Sequence, residues 1–156
     1  MSELPNRKLP IGIQTFSEIR EGNYYYVDKT PHIEQLVNQN KYYFLSRPRR
    51  FGKSLLLDTL DCLFSGRRSL FEGMHIQDRW DWDTPHPVIR LSFGSGVMQN
   101  REELDTRIRH LLRTNRRRLN LPEMSNADIA GEFTDLIAQA HQHFGQPVVV
   151  LIDEYD

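Results

Sequence analysis

Lys53 and Ser54 close the stretch Ser46-Arg47-Pro48-Arg49-Arg50-Phe51-Gly52-Lys53-Ser54, whose residue types suit the binding of a polyphosphate. A glycine at position 52 lets the backbone approach phosphate oxygens. An ammonium at 53 reaches the terminal phosphates, and a hydroxyl at 54 can ligate Mg2+. The cradle is built from backbone N–H groups, so Arg49, Arg50, Phe51, Gly52, Lys53 and Ser54 are the candidate phosphate-binding residues. The start of the stretch departs from the general phosphate-loop pattern. Arg47 stands where its first glycine is expected, and Pro48 has no N–H. A second set of groups follows the apolar run Val148-Val149-Val150-Leu151-Ile152, namely Asp153 and Glu154. Apolar residues followed by Asp form the Walker B pattern, in which the carboxylate at the strand end holds the Mg2+ that the loop hydroxyl also binds. The adjacent Glu154 is placed to polarise an attacking water. Lys53 and Glu154 are therefore the catalytic candidates, and Ser54 and Asp153 the metal-ligating ones. Either half alone is imitated by an ordinary turn or an ordinary buried strand. Together they point to a nucleoside triphosphate site at the ends of strands in one α/β sheet.

Such groups need elements to hold them. Tyr42-Tyr43-Phe44-Leu45 reads as a strand entering the loop, and Leu55 to Phe64 as a helix leaving it, with Leu56, Leu60, Leu63 and Phe64 on one stripe. Upstream, Tyr24-Tyr25-Tyr26-Val27 reads as a short strand. Asp28-Lys29-Thr30-Pro31 opens a helix with Thr30 as N-cap and Ile33, Leu36 and Val37 on its apolar face. Residues 67–86 read as irregular, anchored by Leu70, Phe71, Ile76, Trp80 and Trp82. Pro87 to Phe93 is a further strand, broken by Gly94-Ser95-Gly96. A helix over about 100–120 carries Leu104, Ile108, Leu111 and Leu112 on one face. Ser125 to Asp128 resembles a capping box for a last helix that ends at Gly145. Val148 to Ile152, apolar on both faces, reads as a central parallel strand. This alternation predicts an α/β fold with a mostly parallel sheet and flanking helices.

Composition narrows the alternatives. A chain of 156 residues, 38% hydrophobic and 26% charged, with net charge −1, suits a globular domain without a global field favouring nucleic acid. The single cysteine, Cys62, excludes an internal disulfide, and on a helix it reads as a reduced, buried thiol. The first ten residues lack an apolar signal region, and no apolar run is long enough to span a bilayer, so the expected compartment is the cytoplasm. Arg107, Arg109, Arg113, Arg116, Arg117 and Arg118 make one helix basic, which is either a solvated face or a nucleic-acid contact. Arg47, Arg49 and Arg50 either add charge to a triphosphate or pair with local carboxylates. Asp28 reads as a cap, and Tyr24 to Tyr26 as core rather than an adenine platform. His141 and His143 are two apart on a helix and do not converge on a metal.

The strings Tyr24 to Thr30, Tyr42 to Ser54, Trp80-Asp81-Trp82 and Leu151-Ile152-Asp153-Glu154-Tyr155-Asp156 carry a resemblance that spans nearly the whole chain. They resemble the predicted AAA-ATPase-like family of bacterial proteins, in which arginine typically replaces the first loop glycine. The resemblance implies ATP and Mg2+ as ligands and a P-loop NTPase fold with Asp-Glu in Walker B, often followed by a nuclease-like domain of the PD-(D/E)xK type. It divides the chain into an arm with a short strand, 1–30, and a partial P-loop domain, 31–156. P-loop sheets of this class place another strand between the loop strand and the Walker B strand. No residues remain after Asp156 to make it, so the sequence reads as an N-terminal fragment, incomplete at its C-terminus. ATP hydrolysis is then expected of the longer protein and not of these residues alone. The alternative is an interaction or nucleic-acid-binding module that does not hydrolyse ATP. The sequence is compatible with an oligomer.

Overall fold

The computed structural model describes residues 6–94, 96–123 and 128–154. Residues 1–5 of the arm, Ser95, Ser125 to Ala127 of the capping signal, and Tyr155 and Asp156 lie outside the described residues. The chain divides into two compact units, Met1–Asp83 and Thr84–Asp156.

The first unit is helical. Helix α1 (Phe16–Glu21), α2 (Thr30–Gln39) and α3 (Lys53–Phe64) are followed by two 3-10 turns, Arg68–Phe71 and His75–Asp78. Phe16, Ile33, Cys62, Leu63, Leu70, Phe71, Met74 and Ile76 form its core, with Trp80 and Trp82 packed against it. The anchors expected in the irregular stretch are thus in place. Polar groups tie these short elements together. Asp58 of α3 accepts the Phe16 N–H at the start of α1, at 2.6 Å. Arg20 Nε donates to the Leu70 carbonyl at 2.7 Å. Thr30 is the first residue of α2 and not its N-cap. The N-cap is Lys29, whose side chain makes no cap, and Asp28 before it accepts the Thr30 N–H and hydroxyl at 2.9 and 2.6 Å. Its other oxygen accepts the His75 N–H at 2.8 Å. Burial alone would raise the Asp28 carboxyl, but these donors outweigh it and hold the group below the usual carboxylate range. Glu34 is likewise held low, chiefly by the His75 ring at 2.6 Å and also by Arg79 at 3.5 Å. Burial pushes the Cys62 thiol up to about 11, with Asp58 adding to the shift, so it stays protonated and unreactive.

Two expected strands are not formed in this unit. Tyr24–Val27 makes a single parallel bridge, Lys8 to Tyr24, and Val27 is exposed. Tyr42–Leu45 carries no strand, and Tyr42 and Phe44 are 91% and 74% exposed. A strand exists only where a neighbour takes its N–H and C=O groups. β-propensity alone cannot supply that neighbour.

The second unit is a strand–helix–helix–strand crossover. Strand β1 (Val88–Ser92), helices α4 (Arg101–Arg118) and α5 (Ile129–Phe144), and strand β2 (Val149–Asp153) follow in that order. The strands pair in parallel, Val88 with Val149 through Ser92 with Asp153. Ile89 and Leu91 meet Leu112, Leu119, Leu136 and Ala140 in the core. Asn100 caps α4 by accepting the Glu103 N–H, and Asp128 caps α5 by accepting the Gly131 N–H. Gly145 ends α5 in the left-handed conformation at φ 67°. The fold is thus mixed, with a parallel sheet as an α/β reading requires, but among the described residues that sheet has only two strands. For the same reason β2 is not the central strand its composition suggested. Leu151 and Asp153 are buried, whereas Val150 and Ile152 are 37% and 46% exposed.

The far edge of β1 is closed by side chains. Asn115 Oδ1 accepts the Arg90 N–H and its Nδ2 donates to the Arg90 carbonyl, both at 2.9 Å. Arg107 donates to the Ser92 carbonyl at 3.4 Å, and Arg118 to the Val88 carbonyl. Residues 88, 90 and 92 turn their backbone groups to one edge. The four-residue span of strand covers about 13 Å, and the helical span from 107 to 118 covers about 16 Å. Helix α4 therefore runs antiparallel along β1 and takes the place of a neighbouring strand.

Candidate nucleotide site

The loop belongs to the first unit. Lys53 is the first residue of α3, and Gly52 precedes it in the left-handed region, φ 78° and ψ 21°. Arg50 is also left-handed, at φ 67°, while Phe51 between them is not. The sign of φ therefore alternates from Arg50 to Lys53. Alternation of this kind is the pattern of backbone nests, in which successive N–H groups turn toward an anion. It opens directly onto the N-terminus of α3, which no side chain caps, so the positive end of the helix faces the same space. A Cβ at Gly52 would meet nothing within 4 Å, so the loop is open over this residue. Arg47, Arg49, Arg50 and Phe51 are exposed, and Lys53 and Ser54 are half-buried. Among the described residues, the side chains of Arg47, Arg49, Arg50 and Lys53 form no ion pair. The backbone and the cationic side chains fit a phosphate group.

The carboxylates belong to the second unit. Asp153 is the last residue of β2 and is buried, and Glu154 follows it exposed. The Phe93 N–H donates to the Asp153 carbonyl at 3.1 Å, which fixes the end of the ladder. Glu154 adopts φ 53°. Four described non-glycine residues have positive φ, and two of them, Asn23 and Asn120, are of the type that tolerates it. The others are Arg50 and Glu154, for which this conformation costs roughly 1–2 kcal/mol each. Each stands inside one of the two motifs. The Ser54 hydroxyl and the Asp153 carboxylate are hard oxygen donors of the kind Mg2+ takes.

The predicted AAA-ATPase family matches residues 10–156. The chain belongs to this family. It is 53% identical over 154 residues to the uncharacterized protein of the vnfD 5' region of Azotobacter chroococcum mcd 1. That alignment covers 98% of this chain and 30% of the relative, so the chain spans about a third of the relative's length. No solved structure matches.

In this predicted AAA-ATPase the arginines of α4 are largely committed to the fold. Besides Arg107 and Arg118 on the β1 edge, Arg109 pairs with the buried Glu132 at 2.8 Å. Arg116 is 2% exposed. It donates to Asp135 at 2.8 Å, to the Pro122 carbonyl at 3.0 Å, and to Gln139 and the Glu132 carbonyl at 3.3 Å. Arg101, Arg113 and Arg117 remain exposed, and Arg117 approaches Glu123 at 3.9 Å. The basic stripe that suggested a nucleic-acid contact is thus mostly an internal clamp. The sequence carries a signal for this, because Asn115 lies four residues after Leu111 and seven after Ile108, a polar group on the apolar face. Among the described residues no group of three or more His, Cys, Asp and Glu side chains could hold a metal. No helix among them is long and apolar enough to cross a membrane.

Proposed function

We propose that this family member binds ATP with Mg2+ and that hydrolysis of the terminal phosphoanhydride bond is an activity of the full-length protein. The observation that carries this reading is the alternating backbone from Arg50 to Lys53 leading into the uncapped start of α3. Neutral ligands gain little from such a nest, whereas a triphosphate gains from every N–H and from the helix end. In this reading the N–H groups of Arg50 to Ser54 hold the β- and γ-phosphates and Lys53 reaches their oxygens. Arg49 and Arg50 add charge-assisted hydrogen bonds from side chains that the fold leaves exposed. Ser54 Oγ and the Asp153 carboxylate are the groups that would hold Mg2+, which would supply neutralising charge to the phosphates. Glu154 orients a water in line with the γ-phosphorus and accepts its proton as the bond to the bridging oxygen breaks, giving ADP and phosphate.

The test is a pair of variants. Lys53→Ala weakens ATP·Mg2+ affinity at least tenfold, about 1.4 kcal/mol, in a calorimetric titration. Coincident titration curves for the variant and the parent remove the phosphate-loop reading. In the full-length protein Glu154→Gln keeps the affinity and lowers the hydrolysis rate by about 10²-fold. An unchanged rate shows that another group activates the water.

A further inference from the structure

We infer that Gly94 is a positioning residue for Glu154, its missing side chain forming the seat in which the Glu154 carboxylate lies. The functional part of this inference rests on Glu154 being the water-orienting group. The ladder of β1 and β2 ends with Ser92 opposite Asp153, and the Phe93 N–H still reaches the Asp153 carbonyl. Gly94 and Glu154 are thus the first residues past the paired ends of adjacent strands. The chain turns at Glu154 through its left-handed backbone, φ 53°. A Cβ built on Gly94 would fall on Glu154 Oε2 and Cδ, and 3.0 Å from Oε1. The carboxylate therefore occupies the volume that any other residue at 94 would fill.

Gly22 likewise has no room for a Cβ, against the Tyr24 ring and the Glu18 carbonyl, but only at Gly94 is the displaced group a candidate site side chain. Gly12, Gly52, Gly73, Gly96 and Gly145 all have positive φ, and a Cβ on any of them meets nothing within 4 Å. These positions use the conformational freedom of glycine. Gly94 has no positive φ, so any residue could adopt its backbone. What position 94 uses is the absence of a Cβ. The atoms that a Cβ would displace are the end of a flexible side chain, so a methyl group at 94 moves the carboxylate and leaves the fold intact. A glycine that merely broke the strand would have no such effect on Glu154.

The experiment uses the whole chain with 13C at the glutamate carboxyl carbon. The Glu154 resonance is assigned by its loss in Glu154→Gln. Gly94→Ala is expected to shift that resonance while the thermal midpoint stays unchanged. An unshifted resonance overturns the proposal whether or not the protein hydrolyses ATP. In a hydrolysis assay of the full-length protein, Gly94→Ala lowers kcat by about 10²-fold with KM unchanged, the scale of a misplaced catalytic group. The same substitution in a Glu154→Gln background lowers it no further, because the two act as one unit. An equal loss in both backgrounds overturns the seat. A full-length parent protein without hydrolysis defeats the proposed function and leaves the resonance to decide the seat. Should Gly94→Ala fail to fold, adding Glu154→Ala empties the seat and restores the fold. Failure to restore it also overturns the proposal.

Discussion

Two arginine-rich regions of this chain look alike in composition and have opposite fates. In α4, Arg107, Arg109, Arg116 and Arg118 all spend their guanidinium groups on the second unit itself. In the loop before α3, Arg47, Arg49 and Arg50 are exposed and make no ion pair among the described residues. The difference lies in what each backbone leaves unsatisfied nearby. Strand β1 has one edge paired to β2 and another edge with bare carbonyls, and Glu132 and Asp135 on α5 face α4. A guanidinium with several donors answers both needs. The loop offers N–H groups and a helix N-terminus, which repel cations and attract anions. Under the proposed function, the clustered arginines next to the positive helix end are charge assembled for a ligand, whereas those beside carbonyls and carboxylates are structure.

The largest effect expected from breaking this contrast is in α4. Arg116→Ala leaves Asp135 and buried carbonyls without their donor and costs about 3–5 kcal/mol. Asn115→Leu strands the Arg90 N–H and carbonyl, at about 1–3 kcal/mol each. Urea unfolding followed by circular dichroism measures both. A solvated basic helix would instead keep each change within about 0.5 kcal/mol.

In the loop the outcome is reversed. Arg49→Ala and Arg50→Gly keep stability within about 1 kcal/mol, and Arg50→Gly also relieves the left-handed strain. Each lowers ATP affinity by about tenfold, the worth of a hydrogen bond to a charged group. Unfolding and titration on the same samples separate the two quantities. A large loss of stability with no loss of affinity would make the loop arginines structural after all.

The smallest effect concerns the carboxylates that tie the first unit. Asp28 and Glu34 have folded pKa values below their ordinary ones. Their contribution is therefore fully present above the ordinary carboxylate range, about pH 4, and is lost as the pH falls through their lowered values. Trp80 and Trp82, the only tryptophans, both lie in the first unit, so their fluorescence reports on it alone. Acidification should loosen that unit modestly, and Asp28→Asn with Glu34→Gln should flatten the response. An unchanged acid profile in the double variant would show that these contacts carry no pH dependence.

The sequence by itself determined the local features. Helices α2 to α5 follow from apolar periodicity and from stops such as Gly145, whose left-handed backbone only local chemistry decides. The phosphate-loop and Asp153-Glu154 candidates could be named from the sequence because each motif lies within a few consecutive residues. Whether an apolar run becomes a strand was not legible, because a strand is completed by a partner that may lie anywhere in the chain. Tyr42–Leu45 and Val149–Asp153 are similarly apolar, yet only the second finds a neighbour, β1, among the described residues. The seat of the Glu154 carboxylate on Gly94 and the closure of the β1 edge by Arg107, Asn115 and Arg118 were equally invisible. Both join residues some fifteen to sixty positions apart. Only the parallel pairing of β1 with β2, and the antiparallel course of α4 along β1, bring them together.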